Sequence, residues 1–344
     1  MNRNNKNKSG WFLGKIPLSI YNQLISRDVI GLFYHMVSAG TVAHTEHLYP
    51  HRDVDLFERD LKFIKENYEV LSFEDLHAKR FTRSGLRKPA IFLSFDDGFS
   101  QCYSMVRPLL LKYELSCIFF ITTNFIDNQQ MYYRNKVSLC IDQFQSLEPG
   151  KRQEKLWEIS DQLNEQVGSD ETFIPWIKSI TSDDTIDSIC TILNVNTDQY
   201  LLDQKPYMTA VEIKSMSEDG FTVGAHSQRH QKLGRLSNGE IESEIVGSCE
   251  IIQSITGKDY VPFSFPNTAT GIDRNLLNQI LFEHPSIGLL FDAKGLDIDR
   301  DFIYNRIWVE SPKLNVGGNR PIQQVIKNAY EDYVITGFAR KVRP

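Results

Sequence analysis

The sequence predicts an α/β fold built on a parallel sheet or barrel, and three observations carry that expectation. Short apolar runs alternate with amphipathic helical stretches along most of the 344 residues. The chain is long enough for one barrel-sized domain or two smaller ones. Its chemistry-bearing residues stand directly after apolar runs, where the rim of such a fold builds its sites.

Val29-Ile-Gly-Leu-Phe-Tyr34 is compact and apolar, ends at His35, and reads as a buried strand. Residues 55–67 place Leu56, Phe57, Leu61, Phe63 and Ile64 on one helical face. Ala90-Ile-Phe-Leu-Ser-Phe95 is a second strand, followed by a helix near 101–112 and a third strand over 116–121. From about Met131 to Tyr207 only helical patterns occur, which marks a helical insertion. Alternation resumes with a helix near 209–219 and a strand, Phe221–Ala225, that delivers His226. Ser237 with Glu240 three residues on forms a capping box for a helix over 237–256. Strands near 261–265, 287–291 and 302–309 complete the body. The domain expectation is an N-terminal segment, 1–28, and one domain, 29–344, with the insertion at about 131–207.

The bulk properties narrow the functional class. Hydrophobic residues make up 41% and charged residues 24%, as in ordinary soluble proteins, and a net charge of −6 argues against nucleic acid as a partner. Five cysteines, Cys102, Cys117, Cys140, Cys190 and Cys249, have no C-x-x-C spacing and read as a reduced set, not a disulfide framework or cysteine metal site. The basic start, Met1 to Lys8, is followed by an apolar stretch broken by Lys15 and Pro17, too interrupted for a signal or membrane span. A helix packed on the body is the first reading of that stretch, and interfacial membrane contact the second. The expected location is cytoplasmic, with membrane-peripheral as its variant.

Two stretches carry the chemistry. Ser94-Phe95-Asp96-Asp97-Gly98 sets two carboxylates at a strand end before a turn glycine. His226-Ser227-Gln228-Arg229-His230 sets two imidazoles four positions apart, where a helical turn or tight loop can aim both at one point. One carboxylate and two histidines form a three-ligand set for a divalent metal with open positions, and the neighbouring carboxylate is left as a base. Two like charges so close resist joint ionisation unless a cation neutralises one. Taken singly, each stretch also reads as an ordinary polar turn.

With both motifs in hand, the chain resembles the polysaccharide deacetylases, carbohydrate esterase family 4, from about residue 29 to 310 outside the insertion. The resemblance implies a deformed parallel (β/α) barrel of about seven strands. It implies Asp96 as general base, and Asp97, His226 and His230 as ligands of Zn²⁺ or another divalent transition metal. Val261-Pro-Phe-Ser-Phe-Pro266 is similar to the family's third motif, but Phe263 stands where an orienting Arg is usual and Asn267 where an aromatic is usual. Arg306 is the candidate replacement for that Arg, with pairing to a surface acid as its alternative. The backbone N–H near Asn267 is the expected oxyanion donor. The family's C-terminal histidine acid is missing, since no histidine follows His284. Leu32-Phe-Tyr-His35-Met36 resembles instead the permuted subgroup, similar to biofilm poly-N-acetylglucosamine deacetylases, which makes His35 the expected acid. His44, His47 and His51, in the loop that follows, read as solvated residues, with lining of the groove as the alternative. The implied function is metal-dependent removal of the N-acetyl group of an amino sugar in a polysaccharide, oligosaccharide or activated glycan precursor. A sugar deformylase or a non-catalytic glycan-binding relative are the alternatives.

Overall fold

A computed structural model describes residues 17–25, 27–79, 88–315 and 318–341. Residues 1–16, which hold the basic start and the Trp11-Phe12-Leu13 cluster considered for membrane contact, lie outside the described residues.

The strands are β1 (Val29–Tyr34), β2 (Glu69–Val70), β3 (Ala90–Phe95), β4 (Ile118–Ile121), β5 (Thr222–Ala225), β6 (Phe263–Ser264), β7 (Leu290–Asp292) and β8 (Ile303–Trp308). All pair in parallel. β1 pairs with β8 on one side and β3 on the other, which closes a ring of seven strands, while β2 adds to the outside of that ring along β3. The (β/α) barrel expected from the sequence is therefore the fold observed, with one short strand beyond the seven.

Alternation along each strand sorts residues between the lumen and the helical shell. Leu32, Ile91, Leu93, Phe119, Val223, Phe263 and Ile307 face outward into the main apolar core. Phe92, Phe120 and Phe291 fill the lumen, with ring centroids 5.5 Å apart for Phe92–Phe291 and 5.1 Å for Phe120–Phe291. Glycine is required opposite these rings. A Cβ on Gly31 would lie 2.4 Å from Phe92 Cζ and 2.8 Å from Arg306 Cγ, and one on Gly224 would lie 2.5 Å from the Pro262 carbonyl oxygen. The Arg306 guanidinium caps this aromatic plug, 4.5 Å from the Phe33 ring centroid and 5.0 Å from that of Phe120. The lumen thus changes from apolar to polar just below the C-terminal rim.

The shell follows the local signals. The helix Val54–Asn67 is capped by Asp53, which accepts from Leu56 N at 2.8 Å. The helix Asn238–Thr256 begins at the Ser237/Glu240 box, where Ser237 N donates to Glu240 Oε2 at 2.9 Å. The helix expected near 101–112 is a π-turn, Cys102–Val106, running into Arg107–Tyr113; Pro108 there has no N–H to return to the preceding turn. Between β4 and β5 lie six α-helices, the crossover helix Ala210–Glu218 just before β5 and, ahead of it, Tyr133–Ser146, Pro149–Leu163, Asp170–Ser179, Asp183–Leu193 and Thr197–Gln204. The four helices from Tyr133 to Leu193 hold a separate apolar core around Val137, Phe144, Phe173, Ile177 and Ile189. The last described helix, Ile322–Lys341, stacks Tyr330 on Tyr21 of the helix Leu18–Leu24 at 5.8 Å. No described helix is long and apolar enough to cross a membrane.

Candidate active site

The C-terminal ends of β1, β3, β5, β6 and β8 converge on a cleft of about 460 Å³ that is lined by His35, Asp96, Asp97, His226, His230 and Asn267, among others. The two motifs, more than a hundred residues apart in sequence, meet there because β3 and β5 flank β4 in the ring.

Asp97 and Gly98 both take left-handed backbone conformations, φ +74° and +82°, so the chain turns sharply as it leaves β3. Ser227 and His230, at φ +61° and +56°, curl the second motif into a tight loop, the second of the two geometries its spacing allowed. Non-glycine residues in this region are strained, and such strain gathers at functional sites. His230 N donates to Ser227 Oγ at 3.0 Å, which holds the curl.

These turns bring Asp97 Oδ1 to 3.5 Å from His226 Nε2 and 3.0 Å from His230 Nε2, with all three side chains buried. His226 Nδ1 lies 2.9 Å from the Ser264 carbonyl oxygen, which can only accept, so the ring proton sits on Nδ1 and Nε2 turns a lone pair towards Asp97. Burial pushes the His226 pKa down to about 4, keeping the ring neutral near pH 7. Burial alone would raise the Asp97 carboxyl, but His230, His35 and His226 together hold it well below the usual carboxylate range. A buried carboxylate facing an imidazole lone pair is unfavourable unless a cation sits between them. The donor set, one carboxylate oxygen and two imidazole nitrogens mutually within 4.8 Å, fits a divalent transition metal.

Asp96 points to the opposite partner. Arg306 Nη1 donates to Asp96 Oδ1 at 2.7 Å and Nη2 to Oδ2 at 2.9 Å, a two-pronged pair that fixes the carboxylate plane. The same guanidinium donates to Ser94 Oγ at 2.9 Å and Ser264 Oγ at 2.6 Å. Arg306 is fully buried, so its partner is the predicted base, not a surface acid. Phe263 turns into the outer core, and the neighbouring Ser264 is the residue of that strand that reaches the guanidinium.

His35 leaves β1 at the same rim. Its Nδ1 lies 2.8 Å from Glu310 Oε2. Glu310, itself fully buried, also accepts from His35 N at 3.0 and 2.9 Å, Met36 N at 3.1 Å and Trp308 Nε1 at 3.1 Å. Burial works against a charged imidazole, yet the hydrogen bond and charge of Glu310, aided by Asp97 and Asp96, raise the His35 pKa to about 9. The ring packs between Tyr49 at 4.8 Å and Trp308 at 5.5 Å, leaving Nε2 as its free nitrogen. Asn267, at φ +64°, sits on the cleft wall just past β6.

Sequence reasoning missed Glu310, Tyr49 and Tyr132. A signal for Glu310 existed: Arg306, Trp308 and Glu310 alternate along one strand and its exit, so they share a face. Tyr132, from the approach to the helical segment, lies 4.3 Å from the His230 ring. Of the three loop histidines read as solvated, His44 is instead buried, 2.9 Å from Tyr200 Oη, and burial lowers its pKa to about 4. His47 is half-buried on the cleft wall, and His51 lies 3.1 Å from the Gly40 carbonyl oxygen. The five cysteines are buried and unbridged.

Comparison with known proteins supplies the context. The polysaccharide deacetylase family model matches residues 181–280, a span holding both histidines of the second motif and the Val261–Pro266 stretch. No curated protein matches the sequence significantly. A solved structure of the Streptococcus pyogenes deacetylase PplD in complex with acetate is 16% identical, with a TM-score of 0.51 over 85% of this chain and 98% of that one. IcaB from Ammonifex degensii is 12% identical, with a TM-score of 0.52 over 88% of this chain and 96% of that one. At those identities the structures speak for the fold. The family match supports a hydrolase acting on N-acetyl groups, with Asp96, Asp97 and His35 standing outside its span. The chain thus matches the polysaccharide deacetylase family model over residues 181–280 and shares its barrel fold with PplD and IcaB.

Proposed function

We propose that the protein is a metal-dependent de-N-acetylase that removes the acetyl group from an amino sugar within a saccharide. One observation carries this reading. A carboxylate fixed by Arg306 and an imidazole held by Glu310 line one cleft with the Asp97/His226/His230 set. That is a base, an acid and a cation site around the space where an amide would lie.

A divalent ion held by Asp97, His226 and His230, zinc being the first candidate, would supply Lewis acidity to the acetyl carbonyl and the attacking water. Asp96 accepts the proton of that water, its oxygens kept in place by the two Arg306 hydrogen bonds. Asn267 lines the cleft, and its backbone N–H is the donor assigned to the developing oxyanion. His35 then delivers a proton from Nε2 to the sugar nitrogen as the C–N bond breaks, giving acetate and a free amine. Without that proton the leaving group would be an amide anion, so the acid is as necessary as the base.

The test is acetate release from a short N-acetylglucosamine oligomer by protein loaded in turn with Zn²⁺, Co²⁺ and Ni²⁺, beside chelated protein. The expected result is turnover in at least one metal form and none after chelation. Asp96→Asn should abolish turnover while keeping metal. Full activity of chelated protein, or of metal-replete Asp96→Asn, would overturn the mechanism.

A further inference from the structure

We infer that the substrate carries an anionic group, a phosphate or carboxylate, close to the sugar that is deacetylated. The inference rests on the de-N-acetylase reading and names the substrate class within it. The catalytic cleft continues into a second groove of about 390 Å³; Tyr132, Arg134, His230 and Asn267 line both. Because His230 belongs to the proposed metal set, a saccharide whose acetamide reacts there can extend directly into this groove.

The groove is strongly basic. Arg134, Arg229, Lys232 and Arg235 line it, and Lys178 stands on the catalytic side of the Arg134 edge. Of these, Arg229 is neutralised by Glu244 at 2.6 Å, and Asp183 is the one acid among the described lining residues. Lys178, Lys232 and Arg235 are exposed and make no ion pair among the described residues. This runs against the chain as a whole, which has 44 acidic against 38 basic residues. Unpaired cations lining a concavity focus a positive potential, which is costly for a neutral ligand's groove to maintain and useful only to an anion.

Arg134 adds geometry to charge. Its guanidinium lies 5.0 Å from the Tyr133 ring centroid, its Nε donates to Tyr133 Oη at 3.0 Å, and Nη1 donates to the Lys178 carbonyl oxygen. None of these partners is a carboxylate, so the full charge remains, and the contacts fix the guanidinium while leaving Nη2 without a partner among the described residues. Arg134 and Lys178 come from the helices Tyr133–Ser146 and Asp170–Ser179, whereas Lys232 and Arg235 follow the second motif. The helical segment between β4 and β5 thus supplies one wall of an anion site, and the barrel supplies the other.

The experiment compares three trisaccharides of N-acetylglucosamine: neutral, bearing a methyl phosphodiester, and bearing a terminal uronate. Acetate release gives kcat/KM at low salt and in 0.5 M NaCl, where exposed charges are largely screened. The wild type should favour at least one anionic substrate over the neutral one by roughly tenfold at low salt, the effect of two or three exposed ion pairs. High salt, and separately the variant Lys232→Ala/Arg235→Ala, should each bring that ratio close to one. Preference for only the phosphodiester or only the uronate identifies the source of the charge. Equal kcat/KM for all three, or an anionic preference untouched by salt and by the variant, overturns the inference. If no substrate is turned over, the deacetylase reading fails separately. Calorimetric titration of the metal-loaded protein with the same trisaccharides then decides the anion site: variant-sensitive binding of an anionic one sustains it, and indifference to charge refutes it.

Discussion

Replacing Glu310 by Gln keeps its size and removes its charge, and so isolates what that carboxylate does for His35. Glu310 accepts from three backbone or ring donors besides the His35 ring, so one face of a Gln amide would confront donors with donors. For the imidazole the larger effect is electrostatic. Glu310 is the main support that lifts the His35 pKa to about 9 against burial, with Asp97 and Asp96 next. A divalent cation in the triad would offset the Asp97 and Asp96 contributions, which leaves Glu310 carrying more of the support in the loaded enzyme. The span from an ordinary 6.5 to about 9 corresponds to roughly 3 kcal/mol favouring the imidazolium. With a pKa of about 9 some nine-tenths of His35 is protonated at pH 8; at 6.5 only about 3% is, a loss of roughly thirtyfold in the acid form. Because the folded value is raised, the contact stabilises the fold fully below pH 6.5, and that stabilisation is lost as pH rises through about 9. The assay is the pH profile of kcat for metal-replete wild type and Glu310→Gln, on an N-acetyl sugar and on an activated aryl acetate whose leaving group needs no proton. The alkaline limb on the sugar should move down in pH for Glu310→Gln, with kcat at pH 8 falling at least tenfold, while the aryl acetate is hydrolysed at a similar rate. An unmoved limb, or equal losses on both substrates, would refute the role of Glu310 as the residue that holds His35 protonated.

Two further perturbations test the lumen. Arg306→Ala leaves Asp96 buried without its guanidinium, and breaking a buried pair by removing one partner costs about 3–5 kcal/mol, so the melting temperature should fall by several degrees along with activity. An unchanged melting temperature would show that water replaces the guanidinium at little cost. Gly31→Ala drives a Cβ to within 2.4 Å of Phe92 Cζ and 2.8 Å of Arg306 Cγ, and should destabilise by about 1–3 kcal/mol in a denaturant titration. It should also lower activity while metal content stays normal, because the crowded atom belongs to the residue that holds the base.

The residues that were legible in the sequence are those whose signal is local. Asp96, Asp97, His226 and His230 sit within two five-residue stretches at strand ends, and strand ends can be read from apolar runs alone. His35 needed a resemblance, because a single histidine after a strand says nothing about its partners. Arg306 could be nominated but not assigned, since its contact with Asp96 spans 210 positions and depends on the barrel closing between β1 and β8. Glu310 went unnoticed for the same reason, its partner being 275 residues upstream. The solvated reading of His44 failed because nothing local shows Tyr200 and the helical segment covering that loop. Short range brought out the candidate ligands, and ring closure set the groups that contact the proposed acid and base.

Ring closure also explains why one strand serves both. β8 pairs directly with β1, and β1 pairs with β3, so a side chain in the lumen from β8 can reach residues at either of those strand ends. Arg306 does so within β8 and Glu310 just after it, four residues apart and on the same face. Asp96, the proposed base, therefore receives a cation, and His35, the proposed acid, an anion, from a single stretch of backbone. Exchanging the two charges would set Glu against Asp96 and Arg against His35, each an unpaired like-charge contact in a buried site. In the proposed mechanism, the order of charges along this stretch, Arg then Glu, thus sets which end of the cleft takes a proton and which end gives one.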